Sequence, residues 1–392
     1  MANMDHALQT AIDQVQSARA DGQALCLRGG GSKDFLGRSH GALLDTRTLC
    51  GILSYEPTEL VVTVGCGTPL AELEAVLAEQ GQCLPFEPPH LRWSLPSTEQ
   101  ASTATVGGML AAGLAGPARA SVGGVRDYVL GLKLVNGLGQ HLSFGGQVMK
   151  NVAGYDVSRL MVGARGTLGL LTEVSLKVLP RAPAEATLCF VLEQAQALEH
   201  LHRWGGQPLP LNASCWVLDD SVAGVDAKPC LFVRLRGAVA AVEAACQKML
   251  AEVPGQRLDP AQASADWELC RNQQLPFFTR PPAPDAQLWR LSLPQTAPVV
   301  RLPSAPFVEW HGGLRWLWAL PGAAQEVQTA AREAGGSAAI FVPGTEPVAA
   351  QAHALTPADA ALARVSQRLK ASFDPKGLFN PGLSPDANQS RA

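Results

Sequence analysis

What the chain lacks narrows it first. Charged residues make up only 17% of its 392 residues and the formal net charge is −3. That leaves no basic stripe for nucleic acid and no acidic tail of the kind that stays disordered. No apolar run reaches the roughly 18 residues needed to span a bilayer. The opening residues, MANMDHALQTAIDQVQSARADG, are polar and amphipathic, without the charged-then-apolar layout of a signal peptide. None of the nine cysteines (26, 50, 66, 83, 189, 215, 230, 246 and 270) falls in a C-x-x-C pair. That argues against an iron–sulfur cluster or zinc ribbon held within this chain. An odd, dispersed set fits reduced thiols, most of them small core residues. The expectation is a soluble cytoplasmic protein, with any membrane contact through a partner.

What is present is glycine, 38 residues of it, with 29 prolines and a hydrophobic fraction of 47%. The length suits two or three domains with real cores. Residues 5–20 have helical spacing, with Ile12, Val15 and Ala18 on one face. A short strand at Ala24–Leu27 leads into a first glycine cluster, Arg28-Gly29-Gly30-Gly31-Ser32-Lys33. Such a turn either points successive N–H groups at one anion or is a plain surface turn. It is neither G-x-x-x-x-G-K-[ST] nor G-x-G-x-x-G. Thr68-Pro69 opens a helix with Leu70, Leu73 and Leu77 inward, Thr68 being the expected N-cap.

A second cluster runs TVGGMLAAGLAGP from Thr105 to Pro117. Side chains this small allow either a backbone laid along a long ligand or close helix packing. Val129–Val135 is a strand turned back at Asn136-Gly137 toward Gln140–Phe144. The stretch Lys150–Thr172 organises the first half: its glycines, Gly163, Gly166 and Gly169, stand directly before the apolar run Leu170–Leu176.

Composition shifts at Arg181–Glu185, so the expected domains are 1–180, 186–373 and a C-terminal clasp and tail at 374–392. Beyond the boundary, strands are expected at 186–192, 214–218, 230–235, 288–293, 307–310, 314–319 and 338–342. Helices are expected at 194–204, 238–251, 261–274, 323–334 and 358–373. Antiparallel strands mixed with helices make this half α+β. The tail DPKGLFNPG, at 374–382, is apolar enough to pack back onto the body.

Taken together, RGGGSK (28–33), TVGGMLAAGLAGP (105–117), GGVRDYVLGLKLVNGLG (123–139) and GYDVSRLMVGARGTLGLLTEVSL (154–176) resemble the FAD-binding domain of the vanillyl-alcohol oxidase and p-cresol methylhydroxylase (PCMH) group. VMKNVAGYDVSRLMVG and LWRLSLP extend the likeness over almost the whole chain, to the family of FAD-binding E subunits of bacterial glycolate oxidase. The resemblance implies an α+β protein: a PCMH-type FAD-binding domain of two subdomains, followed by a smaller α+β cap domain with antiparallel strands. It implies that the backbone of Arg28, Gly29, Gly30, Gly31 and Ser32 holds pyrophosphate. Thr105, Gly107, Gly108, Gly113, Gly116 and Gly123 would line the cofactor, and Gly166, Thr167 and Gly169 would close one side of it. Relatives often have asparagine at Gly113 and Ser-Glu-Gly at Ala164-Arg165-Gly166, so side-chain contacts there differ. Some relatives bond FAD to a histidine after the glycine turn. Ser32-Lys33 stands there, which implies non-covalent FAD.

The resemblance also implies partners: a sister FAD subunit, an iron–sulfur subunit, and glycolate or a similar 2-hydroxy acid as substrate. Relatives that oxidise such acids alone carry H-x-G-D-G-N-x-H in the second domain. The corresponding stretch here, Glu309-Trp310-His311-Gly312-Gly313-Leu314-Arg315, has one histidine and no aspartate, and no metal is expected. Either His311, Arg315, Arg290 and Glu309 form a small acid/base and carboxylate site, or His311 and Arg315 are polar residues on a hairpin's solvent face or at a subunit contact. Catalysis on a sister subunit is the favoured reading, with self-sufficient oxidation of lactate or glycolate as the alternative.

Overall fold

The structure is a computed structural model and describes residues 2–37, 39–91, 102–146, 156–220, 226–344 and 360–383. Lys150–Tyr155 of the organising stretch and the tail beyond 383 lie outside these residues. The chain forms two compact units: Met1–Leu114, Gly124–Pro180 and His353–Ala392 make the first, Ala115–Gly123 and Arg181–Ala352 the second. The helix Ala360–Phe373, which composition places with the second half, therefore groups with the first, and a nine-residue excursion of the first half groups with the second.

In the first unit, β1 (Leu25–Arg28) and β2 (Ala42–Asp45) pair in parallel. A five-stranded antiparallel sheet contains β3 (Ile52–Glu56), β4 (Val61–Gly65), β6 (Val129–Val135), β7 (His141–Gly145) and β8 (Leu170–Lys177), in the order β3-β4-β8-β6-β7. The short β5 (Gln82–Cys83) and β9 (Leu179–Pro180) pair separately. Every residue of β4 is buried, including Thr63, whose hydroxyl hydrogen-bonds Ser175 Oγ at 2.8 Å. The helix Leu70–Glu79 buries Leu70, Leu73 and Leu77. Its N-cap is Pro69, not Thr68, whose hydroxyl instead accepts the Gly51 N–H at 2.8 Å. The hairpin loop is longer than Asn136-Gly137 suggests: Asn136 Oδ1 accepts the N–H groups of both Leu138 and Gln140 at 3.0 Å, and Gly139 takes the positive φ. The helix Ala2–Asp21 packs Ala11, Val15 and Ala18 against Leu25, Leu44, Leu170 and Phe379.

Phe379 reaches that core because the C-terminal segment folds back. Asp374, 1% exposed, accepts from Lys370 Nζ at 2.6 Å and from the N–H groups of Leu378 and Phe379 at 2.9 and 2.8 Å. A buried carboxylate needs this many donors to offset its desolvation. Phe379 then bridges Leu25 in parallel, an added rung beside β1.

The second unit is one antiparallel sheet of β10 (Ala184–Val191), β11 (Leu211–Asp219), β12 (Lys228–Gly237), β13 (Gly255–Arg257), β14 (Gln287–Ser292), β15 (Phe307–Glu309), β16 (Leu314–Ala319) and β17 (Ser337–Val342). Their order is β13-β10-β12-β11-β15-β16-β14-β17. One face packs Leu188, Phe190, Leu231, Val233 and Val308 against the helices Gln194–Gly205 and Val239–Glu252. The same face carries Leu291 and Leu317 under the helix Ala324–Glu333. Among the described residues no helix is long and apolar enough to cross a membrane.

Candidate cofactor site

Three glycine turns meet in the first unit. Gly29, Gly30 and Gly31 of the first, Thr105, Gly107 and Gly108 of the second, and Gly166 and Gly169 of the third line one cavity of about 400 Å³. Arg28 and Ser32 line it too. The size falls in the range that small-molecule sites occupy.

Each turn reaches the cavity for a local reason. β1 ends at Arg28, and Gly31 at φ +76° bends the chain away. Arg28 Nε donates to Asp34 Oδ2 at 2.8 Å and ties the turn across its base. Cβ atoms at Gly29 and Gly30 would come within 2.5 Å of Thr105 Oγ1 and 1.5 Å of the Thr103 carbonyl oxygen. At Gly30 only glycine fits, because a carbon cannot lie 1.5 Å from a backbone carbonyl oxygen without overlapping it. Thr105 caps the short helix Val106–Ala112 and its hydroxyl accepts the Gly108 N–H at 3.2 Å. Gly107 N–H donates to the Cys66 carbonyl at 2.7 Å, so the second turn is anchored on the end of β4. Gly166, at φ +67°, and Gly169 carry the third turn into β8.

The first turn holds unspent donors. Among the described residues, no acceptor takes the N–H groups of Gly29, Gly30, Gly31, Ser32 or Lys33. A curved run of consecutive N–H groups that no protein acceptor takes is an anion nest. Leu27, Ala111, Ala112, Leu170 and Leu171 add apolar wall. A pyrophosphate flanked by flat rings matches this donor set and these walls, so the residues present fit FAD.

Gly113, Gly116, Gly123 and Thr167 do not line this cavity. Gly113 ends the helix Val106–Ala112 at φ +63°, and a Cβ on it would press on the Gly163 backbone at 3.1 Å. Thr167 turns its hydroxyl onto the Ala164 carbonyl at 2.7 Å. Gly116 and Gly123 lie on the excursion that belongs to the second unit. There the Gly116 carbonyl accepts from Trp310 Nε1 at 3.0 Å, and Gly123 N–H closes on the Arg119 carbonyl. For Gly113, close packing is the alternative that small-residue spacing also allows.

The cavity also takes residues that motif reading passed over: Lys33, Arg165 and Asn380. Asn380 Oδ1 accepts the Leu27 N–H and Asn380 Nδ2 donates to the Arg165 carbonyl, both at 2.8 Å. The apolar C-terminal clasp was the available signal, but its target was not readable.

The candidate catalytic residues of the second unit do not all stand on one face of the sheet. Arg290 pairs across strands with Trp316, while Arg315 pairs with Leu291. Side chains alternate along a strand, so the two arginines stand on opposite faces of the sheet. Arg315 is fully buried and donates to the Ala297 carbonyl at 2.9 Å, which corrects the solvent-face alternative for it. Burial pushes its guanidinium down to about 10. Arg290 stacks 5.3 Å over Trp310, and burial, then neighbouring Arg119, push it down to about 10 as well. Glu309 Oε2 accepts from Trp316 Nε1 at 2.7 Å.

His311 sits at φ +55° after Trp310 at +53°, two strained positions in a row. Ser214 Oγ accepts the His311 N–H at 3.1 Å and also hydrogen-bonds Nδ1 at 2.9 Å. Nε2 hydrogen-bonds Ser121 Oγ at 3.0 Å. Burial pushes the ring down to about 4. Both ring nitrogens are occupied, and the histidine staples the excursion to the turn at Trp310. Among the described residues no cluster of three His, Cys, Asp or Glu side chains could hold a metal ion.

Comparison with known proteins agrees with this geometry. Residues 8–145 match the family described as an FAD binding domain. The chain is 43% identical to the glycolate oxidase subunit GlcE of Escherichia coli K12 over 376 residues, 95% of this chain and 96% of that one. It is 31% identical to the glycolate oxidase subunit GlcD of Bacillus subtilis over 157 residues, 40% of this chain and 31% of that protein. Among solved structures, an alkyldihydroxyacetonephosphate synthase shares the fold over 95% of this chain and 74% of its own, with TM-score 0.66 and 16% identity. The end-to-end match places the chain plainly, and its glycine-built cavity fits FAD: it belongs to the GlcE family of glycolate oxidase subunits.

Proposed function

We propose that this chain is the FAD-binding subunit of a multi-subunit glycolate oxidase that converts glycolate to glyoxylate, with the main catalytic site on a sister flavin subunit. The observation that carries it is the row of unspent N–H donors from Gly29 to Lys33 facing Thr105, Gly107, Gly108 and Gly166 across one cavity. FAD, when bound there, supplies a carrier for the electrons taken from the hydroxy acid. The chain's own residues bind and orient it without a covalent link: backbone donors on the pyrophosphate, apolar walls along the rings. Ser32 and Lys33, where some relatives carry the bonding histidine, offer no attachment point of that kind.

The division of labour with a sister subunit is supported by the second unit. Its candidate acid/base group His311 has both ring nitrogens spent, and its candidate carboxylate holders Arg290 and Arg315 are separated by the sheet. Electrons collected by such a subunit need an exit, and an iron–sulfur partner would provide it.

Co-purification tests the reading. The chain expressed with its native neighbours is expected to carry flavin and to travel with a second flavoprotein and an iron–sulfur protein. A colourless, folded chain without companions would refute it. Glycolate turnover by the isolated chain with an artificial acceptor would replace it with the self-sufficient dehydrogenase.

A further inference from the structure

A bound pyrophosphate carries net negative charge, and backbone N–H groups meet it with partial charges only. Lys33 is the cation placed to complete the balance. It follows the glycine turn directly and lines the same cavity as Gly30, Gly108 and Gly166. Its ammonium lies 3.3 Å from Ser32 Oγ, and Ser32 is 4% exposed. Among the described residues no carboxylate takes that ammonium. Asp34, on the same turn, is held by Arg28 at 2.8 Å, and Asp45, at the end of β2, by Arg47 at 2.6 Å. The other titratable groups lining the cavity are Cys26, Cys66 and Arg165, two thiols and a further cation. Burial raises both thiols and leaves them neutral.

The protein thus folds a cation into enclosed space beside a row of unsatisfied donors. An anion there offsets the desolvation of the cation and takes the donors together. We propose that Lys33 is the charge partner of the cofactor's pyrophosphate, added to the backbone cradle. This rests on the flavin reading above and names one side chain within it.

A consequence follows from proton linkage. Enclosure pushes the Lys33 ammonium down to about 8. Phosphate oxygens beside it favour the charged form and raise it again, so FAD binding takes up a proton near that pH. Affinity is then flat below about pH 8 and falls above it.

The test is calorimetric titration of flavin-stripped protein with FAD, at about pH 7 and about pH 9.5, for wild type, K33M and K33R. At pH 7, K33M is expected to bind at least about tenfold more weakly, with K33R within about threefold of wild type. Wild type should approach K33M at the higher pH. At about pH 8 wild type should take up about half a proton per FAD, read from buffers of different ionisation heat, and K33M none. The wild-type proton uptake is readable even where a variant fails to fold. Equal FAD affinity of wild type and K33M at pH 7, or no proton uptake by wild type, overturns the Lys33 role and leaves the flavin site standing. A wild-type chain that binds no FAD overturns both.

Discussion

Asn380 Nδ2 donates to the Arg165 carbonyl at 2.8 Å across 215 residues of sequence. The same amide accepts the Leu27 N–H through Oδ1. One side chain near the C-terminus therefore ties the strand feeding the first glycine turn to the residue before Gly166. Replacing Asn380 with Ala leaves a half-buried N–H and carbonyl unpaired. A loss of about 1–3 kcal/mol in unfolding free energy is expected, with weaker flavin binding. Denaturant unfolding and flavin titration of N380A check both. Unchanged flavin affinity in a destabilised variant would show that the clasp supports the fold and not the site.

Gly30 and Gly108 are not equivalent glycines. A Cβ at Gly30 meets the Thr103 carbonyl oxygen at 1.5 Å, whereas at Gly108 it meets only the Thr105 hydroxyl at 3.2 Å. Backbone cannot step aside as a hydroxyl rotor can. G30A is expected to displace the first turn and cut FAD affinity by about tenfold or more, with G108A closer to wild type. Similar affinities for the two variants would contradict the close approach at Gly30.

His311 is held well below the ordinary imidazole value, at about 4, by burial. Between that value and the unfolded value of about 6.5, the unfolded chain binds the extra proton. The neutral ring's contribution is therefore complete above about pH 6.5 and is lost as pH falls toward 4. It amounts to up to about 3 kcal/mol. H311N, which tolerates the left-handed backbone, should flatten this part of the stability–pH curve. Parallel curves for variant and wild type would mean that His311 titrates normally.

Flavin attachment is expected to be reversible. Denaturing the holoprotein in acid and filtering it should send the flavin into the filtrate, because Ser32 and Lys33 form no covalent link. Flavin retained with the denatured chain would contradict this.

Much of the second unit was legible as a strip of sequence. Strands such as Cys230–Leu235 and Leu314–Ala319 announce themselves because apolar side chains spaced for a sheet sit between turn residues. β3, Ile52–Glu56, escaped because Ser54, Tyr55 and Glu56 dilute its pattern while its partner β4 supplies the burial. Thr68 failed as an N-cap for a similar reason: Gly51 N–H, far off in sequence, offered its hydroxyl a better use.

At the site the line falls differently. Glycine runs state that backbone must pass close to something, because each absent Cβ is a local fact about one residue. They do not say what it passes close to. Gly30 faces Thr103, Gly113 faces Gly163 and Gly137 faces Asp374, and the first borders a cofactor cavity while the other two are packing. The amino-acid order determined that three turns lacked side chains and that the family was flavin-binding. Only the tertiary structure decided which of them share one cavity, that no carboxylate among the described residues takes Lys33, and that Arg290 and Arg315 are back to back. Those outcomes depend on strand order and strand parity across the sheet, which are set by partners distant in the chain.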